Sequence, residues 1–281
     1  MKYLNIFLIL ALILPASLVK GQDIISAAET AKLMKNDNVV VVSTRTAADY
    51  KKVHITGSVH ISHSTLYKEG PIKNMLNTPQ EMAKVLGEAG ISESNTIILY
   101  DDGTGKYAGR LYWILSYLGA KDVKVLDGHM KAWRAARKPV TKNPTNVKAV
   151  TFTPKNDKTV IASMAEVKSG GAAIVDARSP EEYKGTAATE LRKGHIPGSI
   201  NLEYTNMMDA QGKLKSNEAL QKIFNDAGIT KDKKVIIYCE SGVRAGIIFL
   251  ALKSALKYPN VKVYDGAYSE WQSVSSNKVA I

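Results

Sequence analysis

The 281-residue chain has little of what builds covalent or metal-held frameworks: one cysteine, Cys239, and five histidines. A single cysteine excludes an intramolecular disulfide and a multi-cysteine zinc site, leaving Cys239 as a thiol, an intermolecular link or small apolar filler. The histidines show no ligand-like spacing, so no metal and no cofactor is expected. A compact basic block is also missing. Lys plus Arg number 38 against 26 Asp plus Glu, a net charge of +12, yet the lysines are scattered and no aromatic residues interleave with them. That argues against a nucleic-acid partner and leaves the charge as solvated surface first and as steering for a small anion second. With 45% hydrophobic and 23% charged residues, disordered and collagen-like classes are excluded, and the length suits two modest domains.

The first residues bear on the compartment. Met1-Lys2 precedes an apolar run from Ile6 to Leu14, followed by Pro15-Ala16-Ser17 and Val19-Lys20-Gly21. This is the pattern of a secretory signal peptide over residues 1–21, and the apolar run is shorter than the about 20 residues needed to span a bilayer. The expectation is an exported protein, periplasmic or secreted, with no stable membrane association after cleavage.

What the chain does have is a repeat. Val39 to Arg45 followed by Ala48-Asp49-Tyr50 lines up with Ala173 to Arg178 followed by Glu181-Glu182-Tyr183, and His54-Ile55-Thr56-Gly57-Ser58 lines up with His195-Ile196-Pro197-Gly198-Ser199. From Tyr100 to Tyr238, Gly128 to Gly266 and Trp133 to Trp271 the offset is 138 residues each time. A constant offset over matched landmarks identifies a tandem pair of homologous units, residues 22–140 and 158–281, joined by a linker over 141–157. Continuous runs such as Val39 to Val42, Ile97 to Tyr100, Ala173 to Val175 and Val235 to Tyr238 suit strands buried on both faces. Between them, Pro79 to Leu86, Arg110 to Leu118, Asn217 to Ala227 and Arg244 to Leu256 read as helices. Each unit is therefore α/β, a mostly parallel sheet with helices on both faces. Such sheets bind ligands beyond the carboxyl ends of their strands, which directs attention to the residues after Tyr100 and Tyr238.

After Tyr238 comes Cys239-Glu240-Ser241-Gly242-Val243-Arg244, leading into a helix. A strand, a tight Gly-containing loop and a helix start direct successive N–H groups towards one point, a nest that favours an anion. There a cysteine sulfur would be favoured as the thiolate by those dipoles and by Arg244. A thiolate so placed can accept a sulfane sulfur as a persulfide and pass it on to a second thiophile. A lone cysteine is more often packing; its position directly after a core strand is what favours chemistry.

These residues together resemble the two-domain rhodanese family of sulfurtransferases: Asp176-Ala177-Arg178 after the first strand of the second unit, the His195 to Ser199 motif, the six-residue loop opening with Cys239, and Asp265-Gly266 followed by Trp271. The resemblance covers the whole mature chain and implies two tandem rhodanese-like domains, of which only the second is catalytic. Asp101 stands in the first unit where Cys239 stands in the second, in a loop one residue longer, so the first unit is expected to be silent, with Asp101 capping the following helix. Four residues separate Cys239 from Arg244, one fewer than in the phosphate loop of cysteine-dependent phosphatases, which excludes that neighbouring activity.

The implied reaction moves a sulfane sulfur from thiosulfate to cyanide or a thiol through a persulfide on Cys239. The partners are a small anionic donor and a thiophilic acceptor. One alternative is 3-mercaptopyruvate as donor; Ser241 and Val243 fit that type of loop, whereas Glu240 and Arg244 depart from it. Another is a non-catalytic binding or sulfur-carrier module, favoured if Cys239 is inaccessible. Expected substrate contacts are Arg244 and the loop residues Glu240, Ser241, Gly242 and Val243, with Glu240 turning its side chain outward and its N–H inward. Arg192 resembles a family arginine that faces the cleft and would bind the donor's carboxylate or sulfonate. Asp176 and Arg178 are expected to support the loop as an internal ion pair, His54 and His195 to be structural, and Trp133 and Trp271 to anchor the core.

Overall fold

The computed structural model describes residues 23–281; the leader-like segment 1–21 lies outside them. In the first unit the strands Val59–His60, Val39–Ser43, Thr96–Tyr100, Asp122–Leu126 and Ile24–Ile25 lie side by side in that order, all parallel. In the second unit Ile200–Asn201, Ala173–Asp176, Val235–Tyr238, Val261–Tyr264 and Ile161–Ala162 repeat the order. Each central strand is apolar throughout because both faces are covered. Alternate residues serve different cores: Ile97 and Leu99 share one large core with Val235 and Ile237, whereas Ile98 and Tyr100, like Ile236 and Tyr238, face a smaller core belonging to their own unit. The two sheets thus turn one face each towards a common interior.

Local signals set the helices. Pro79–Glu88 starts with Pro at its first position and a reciprocal cap between Thr78 and Glu81, a combination that satisfies otherwise orphaned N–H groups. Asn217–Asp226 is capped by Ser216. The helix after Tyr100 begins at Lys106, earlier than the expected Arg110, because Asp101 takes up the N–H groups of Tyr107 and Ala108 and fixes the first turn there. The helix after Tyr238 runs as α over Ala245–Leu250 and widens to a π-turn over Ala251–Ala255.

These two helices cross at a pair of glycines. A Cβ on Gly109 would stand 2.6 Å from the Ile247 nitrogen, and one on Gly246 would stand 2.4 Å from the Arg110 nitrogen, so only hydrogen fits on either side. The segment between the units is bound down rather than loose. Val140–Thr141 pairs antiparallel with His54–Ile55. Further on, Val150 N–H reaches Gly87 O at 2.9 Å and Lys155 N–H reaches Leu118 O at 2.8 Å, with Phe152 buried between them. No helix among the described residues is long and apolar enough to cross a membrane.

Candidate active site

The duplicated His-Ile-x-Gly-Ser motif holds the strand that carries the site. In the second unit the Tyr238 hydroxyl lies 3.0 Å from Ser199 Oγ and accepts the Ile196 N–H at 3.2 Å. The His195 ring stacks on Tyr183 with centroids 3.6 Å apart while its Nδ1 meets the Tyr183 carbonyl at 2.8 Å. The first unit repeats this with Tyr100, Ser58, Ile55, His54 and Tyr50. Both histidines are therefore structural. Trp133 and Trp271 are buried and donate to the carbonyls of Pro139 and Lys278, as core anchors do.

Directly after the clamped Tyr238, Cys239 is 1% exposed and forms part of a cavity of about 580 Å³ between the units. From the second unit Glu182, Glu203, Tyr204, Glu240, Ser241, Val243 and Arg244 share its wall; from the first come His63, Lys73, Asn74, Lys106 and Tyr107. The loop is gripped from across the interface. Arg110, fully buried, donates to the Gly242 carbonyl at 3.3 Å and to Asp265 Oδ1 at 2.9 Å, and Asn74 Nδ2 donates to Ser241 Oγ at 2.8 Å. Asp265 Oδ2 in turn accepts the Leu76 N–H at 2.9 Å. Gly242 is required here: its φ is +81°, and a Cβ would stand 2.6 Å from Arg110 Nη1. No oxygen or nitrogen acceptor among the described residues takes up the N–H groups of Glu240, Ser241, Gly242, Val243 or Arg244.

The Asp101 loop of the first unit answers the same donors differently. Asp101 Oδ1 accepts the N–H groups of Gly103 at 2.8 Å and Gly105 at 3.2 Å, and Oδ2 accepts those of Tyr107 at 3.2 Å and Ala108 at 3.3 Å. The carboxylate caps the helix and fills its own nest.

The electrostatics of the cavity are balanced rather than uniformly positive. Arg244 forms a bidentate pair with Glu182 at 2.5 and 2.7 Å, a geometry that matches the guanidinium fork. Burial opposes the low pKa of Glu182, but hydrogen bonds and charge from Arg244 outweigh it and hold the carboxyl below its ordinary value. Burial likewise works against the charge on Arg244, and Glu182, the Cys239 sulfur and Glu240 together raise its pKa nonetheless. Glu240 does not turn away from the cavity as expected. Its carboxylate lies on the wall and meets Lys73 of the first unit at 3.2 Å, so a cation across the cleft offsets its repulsion, while its carbonyl is fixed by the Ser269 N–H at 2.9 Å. His63 is lowered to about 4, first by burial and then by the charges of Arg110 and Lys106, and is neutral at pH 7.

Arg192 is not brought to this cavity. Its guanidinium donates to the Asn277 carbonyl at 3.0 Å, tying the C-terminal segment to the loop before His195, which corrects its assignment as a donor contact. Asp176 and Arg178 do form a buried pair at 2.7 Å, with Arg178 also on the Gly194 carbonyl and 4.0 Å above the Tyr268 ring, away from the cavity wall. Sequence reasoning missed the contribution of the first unit: Arg110, Asn74, Lys73, Lys106 and His63. One signal was available, the Ala-Gly pair after each strand-end loop, whose second residue permits the helix crossing that delivers Arg110.

Comparison with known proteins agrees with this architecture. The rhodanese-like domain family matches residues 26–136 and again 158–274. A thiosulfate sulfurtransferase of Pseudomonas aeruginosa is 32% identical over 253 residues, covering 88% of this chain and 93% of its own. A sulfur carrier protein of Thermus thermophilus is 31% identical over 247 residues, 82% and 86% of the two chains. Among solved structures, the 3-mercaptopyruvate sulfotransferase SseA of Escherichia coli superposes with a TM-score of 0.81 at 28% identity, covering 88% of this chain and 99% of that one. The chain belongs to the rhodanese family and is built of two rhodanese-like domains in tandem.

Proposed function

We propose that the protein is a sulfurtransferase that takes a sulfane sulfur from thiosulfate onto Cys239 and passes it to cyanide or a thiol. The observation that carries this reading is the pair of strand-end loops. In the first unit the N–H groups converge on a carboxylate built into the chain. In the second the residue at that position is a cysteine, and among the described residues the loop N–H groups have no oxygen or nitrogen to donate to. The symmetry of the repeat supports the reading that these N–H groups hold the charge of the sulfur, or of a persulfide, through the reaction.

The Cys239 thiolate attacks the outer sulfur of thiosulfate. The sulfur–sulfur bond of the donor breaks, sulfite leaves with the electron pair, and a persulfide remains on Cys239. An acceptor thiolate then attacks the outer persulfide sulfur and the Cys239 thiolate departs, so the cycle has no net redox change. Arg244, locked by Glu182, shapes the loop and adds one positive charge beside the sulfur.

Thiosulfate is favoured by the relatives that carry that name at 32 to 33% identity over most of both chains. The likeness to the Escherichia coli enzyme supports 3-mercaptopyruvate as the second reading. A carrier role draws on the name of the Thermus thermophilus relative and on the burial of Cys239; against it stands the cavity that opens to the thiol. Assays of both donors on wild type and Cys239→Ser separate these readings. Turnover with thiosulfate exceeding that with 3-mercaptopyruvate, and abolished in the variant, is expected; the reverse donor preference favours the second reading, and no turnover with either donor favours the carrier. Export rests on residues 1–21 alone, and a mature N-terminus near Gln22 in the exported fraction is the expected result.

A further inference from the structure

Six charged side chains line the Cys239 cavity: Lys73, Lys106 and Arg244 against Glu182, Glu203 and Glu240. Four are taken up among themselves, Arg244 by Glu182 and Lys73 by Glu240. Among the described residues, the remaining two, Lys106 from the first unit and Glu203 from the second, have neither an oppositely charged side chain within 4.0 Å nor a hydrogen bond to the side-chain charge. The Lys106 ammonium instead lies 4.8 Å over the Tyr107 ring, which orients it without neutralising it. Lys106 opens the helix Lys106–Tyr117, and Glu203 directly precedes the turn Tyr204–Met207.

A cavity of about 580 Å³ is larger than cyanide or thiosulfate needs. One uncommitted cation and one uncommitted anion facing the same space from opposite units match a molecule that carries both charges. Resting on the sulfurtransferase reading above, we propose that Lys106 and Glu203 select the acceptor, and that this acceptor is a zwitterionic thiol, an amino acid or short peptide bearing a free carboxylate and a free ammonium beside its thiol. Lys106 takes the carboxylate and Glu203 the ammonium. The acceptor thiolate forms a bond to the outer persulfide sulfur, the bond from that sulfur to Cys239 breaks, and the electron pair returns to Cys239 as its thiolate.

The test uses the full mature chain, thiosulfate as donor, and four acceptors: L-cysteine, 3-mercaptopropionate, cysteamine and 2-mercaptoethanol. Each acceptor is compared with itself across wild type, Lys106→Met and Glu203→Gln, which cancels the intrinsic reactivity of each thiol. Relative to 2-mercaptoethanol, kcat/KM for cysteine should fall about tenfold in both variants, as for loss of one charge-assisted contact. The ratio of 3-mercaptopropionate to cysteamine should fall in Lys106→Met and rise in Glu203→Gln. If both variants move that ratio in the same direction, or neither moves it, the selection is wrong. Intact-mass measurement of wild type after thiosulfate alone keeps the two readings apart: added sulfur with no such selectivity overturns this inference only, whereas no added sulfur overturns the persulfide itself.

Discussion

Asp101 and Cys239 occupy the same place in two copies of one fold, each the first residue after the central strand of its sheet, and they put the same backbone to opposite uses. The Asp101 carboxylate satisfies four N–H donors from within the chain. The loop after Cys239 leaves its donors without an oxygen or nitrogen partner among the described residues and is instead held from outside, by Arg110 on Gly242 and Asn74 on Ser241. A loop that must receive a transient charge cannot be stabilised by a permanent one, so its order has to come from elsewhere. The first unit supplies it, so a unit whose own strand ends in Asp101 still orders the loop that opens with Cys239.

The largest effect should come from removing that outside support. Arg110→Met leaves Asp265 buried without its cation and frees Gly242, and breaking a buried ion pair from one side costs about 3–5 kcal/mol. Chemical denaturation should show this loss together with loss of activity, although Arg110 lies in the unit without Cys239; a variant of unchanged stability would show that the two loops are independent. Asp101→Ala should cost about 2 kcal/mol, as for loss of a charged cap, with Asp101→Asn costing less because one acceptor oxygen remains. Gly242→Ala must place a side chain at positive φ against Arg110 and should cost about 1–3 kcal/mol, with sulfur transfer falling further than stability alone explains.

Acid should act on the cavity. His63 is lowered from 6.5 to about 4 in the folded protein, so the unfolded chain takes up its proton first as pH falls through 6.5. Stability should therefore decline between about 6.5 and 4, and His63→Gln should flatten that slope in pH-dependent denaturation. The Glu182–Arg244 pair follows: because the Glu182 pKa is lowered, its contribution is complete above the unfolded value of 4.5 and is lost as pH falls through the folded one. The smallest effect is expected from Arg192→Ala, with the KM for donor changed less than about twofold, since its guanidinium is spent on the Asn277 carbonyl.

Repetition made the fold legible in the sequence, since the offset of 138 residues between paired landmarks locates the strands and, through them, the loop that opens with Cys239. The Asp176–Arg178 pair was legible too, because both partners lie two residues apart. What stayed hidden involves contacts between distant parts of the chain. Arg110 meets residues 132 and 155 positions away, and nothing local marks an arginine that will be fully buried. Arg192 misled for the opposite reason: its place in the motif is local, but its partner belongs to the C-terminal segment that returns past His195. Glu240 was read from its charge alone, and the answering Lys73 lies in the other unit.

The central claim is that the strand-end position holds a built-in anion in one unit and an acquired one in the other. Peptide mapping by mass after brief exposure of the protein to thiosulfate tests it most directly. The account predicts one sulfur atom added, on the peptide containing Cys239, and none on Cys239→Ser. A protein that turns over thiosulfate while that peptide stays unmodified, or that gains sulfur without Cys239, would contradict it.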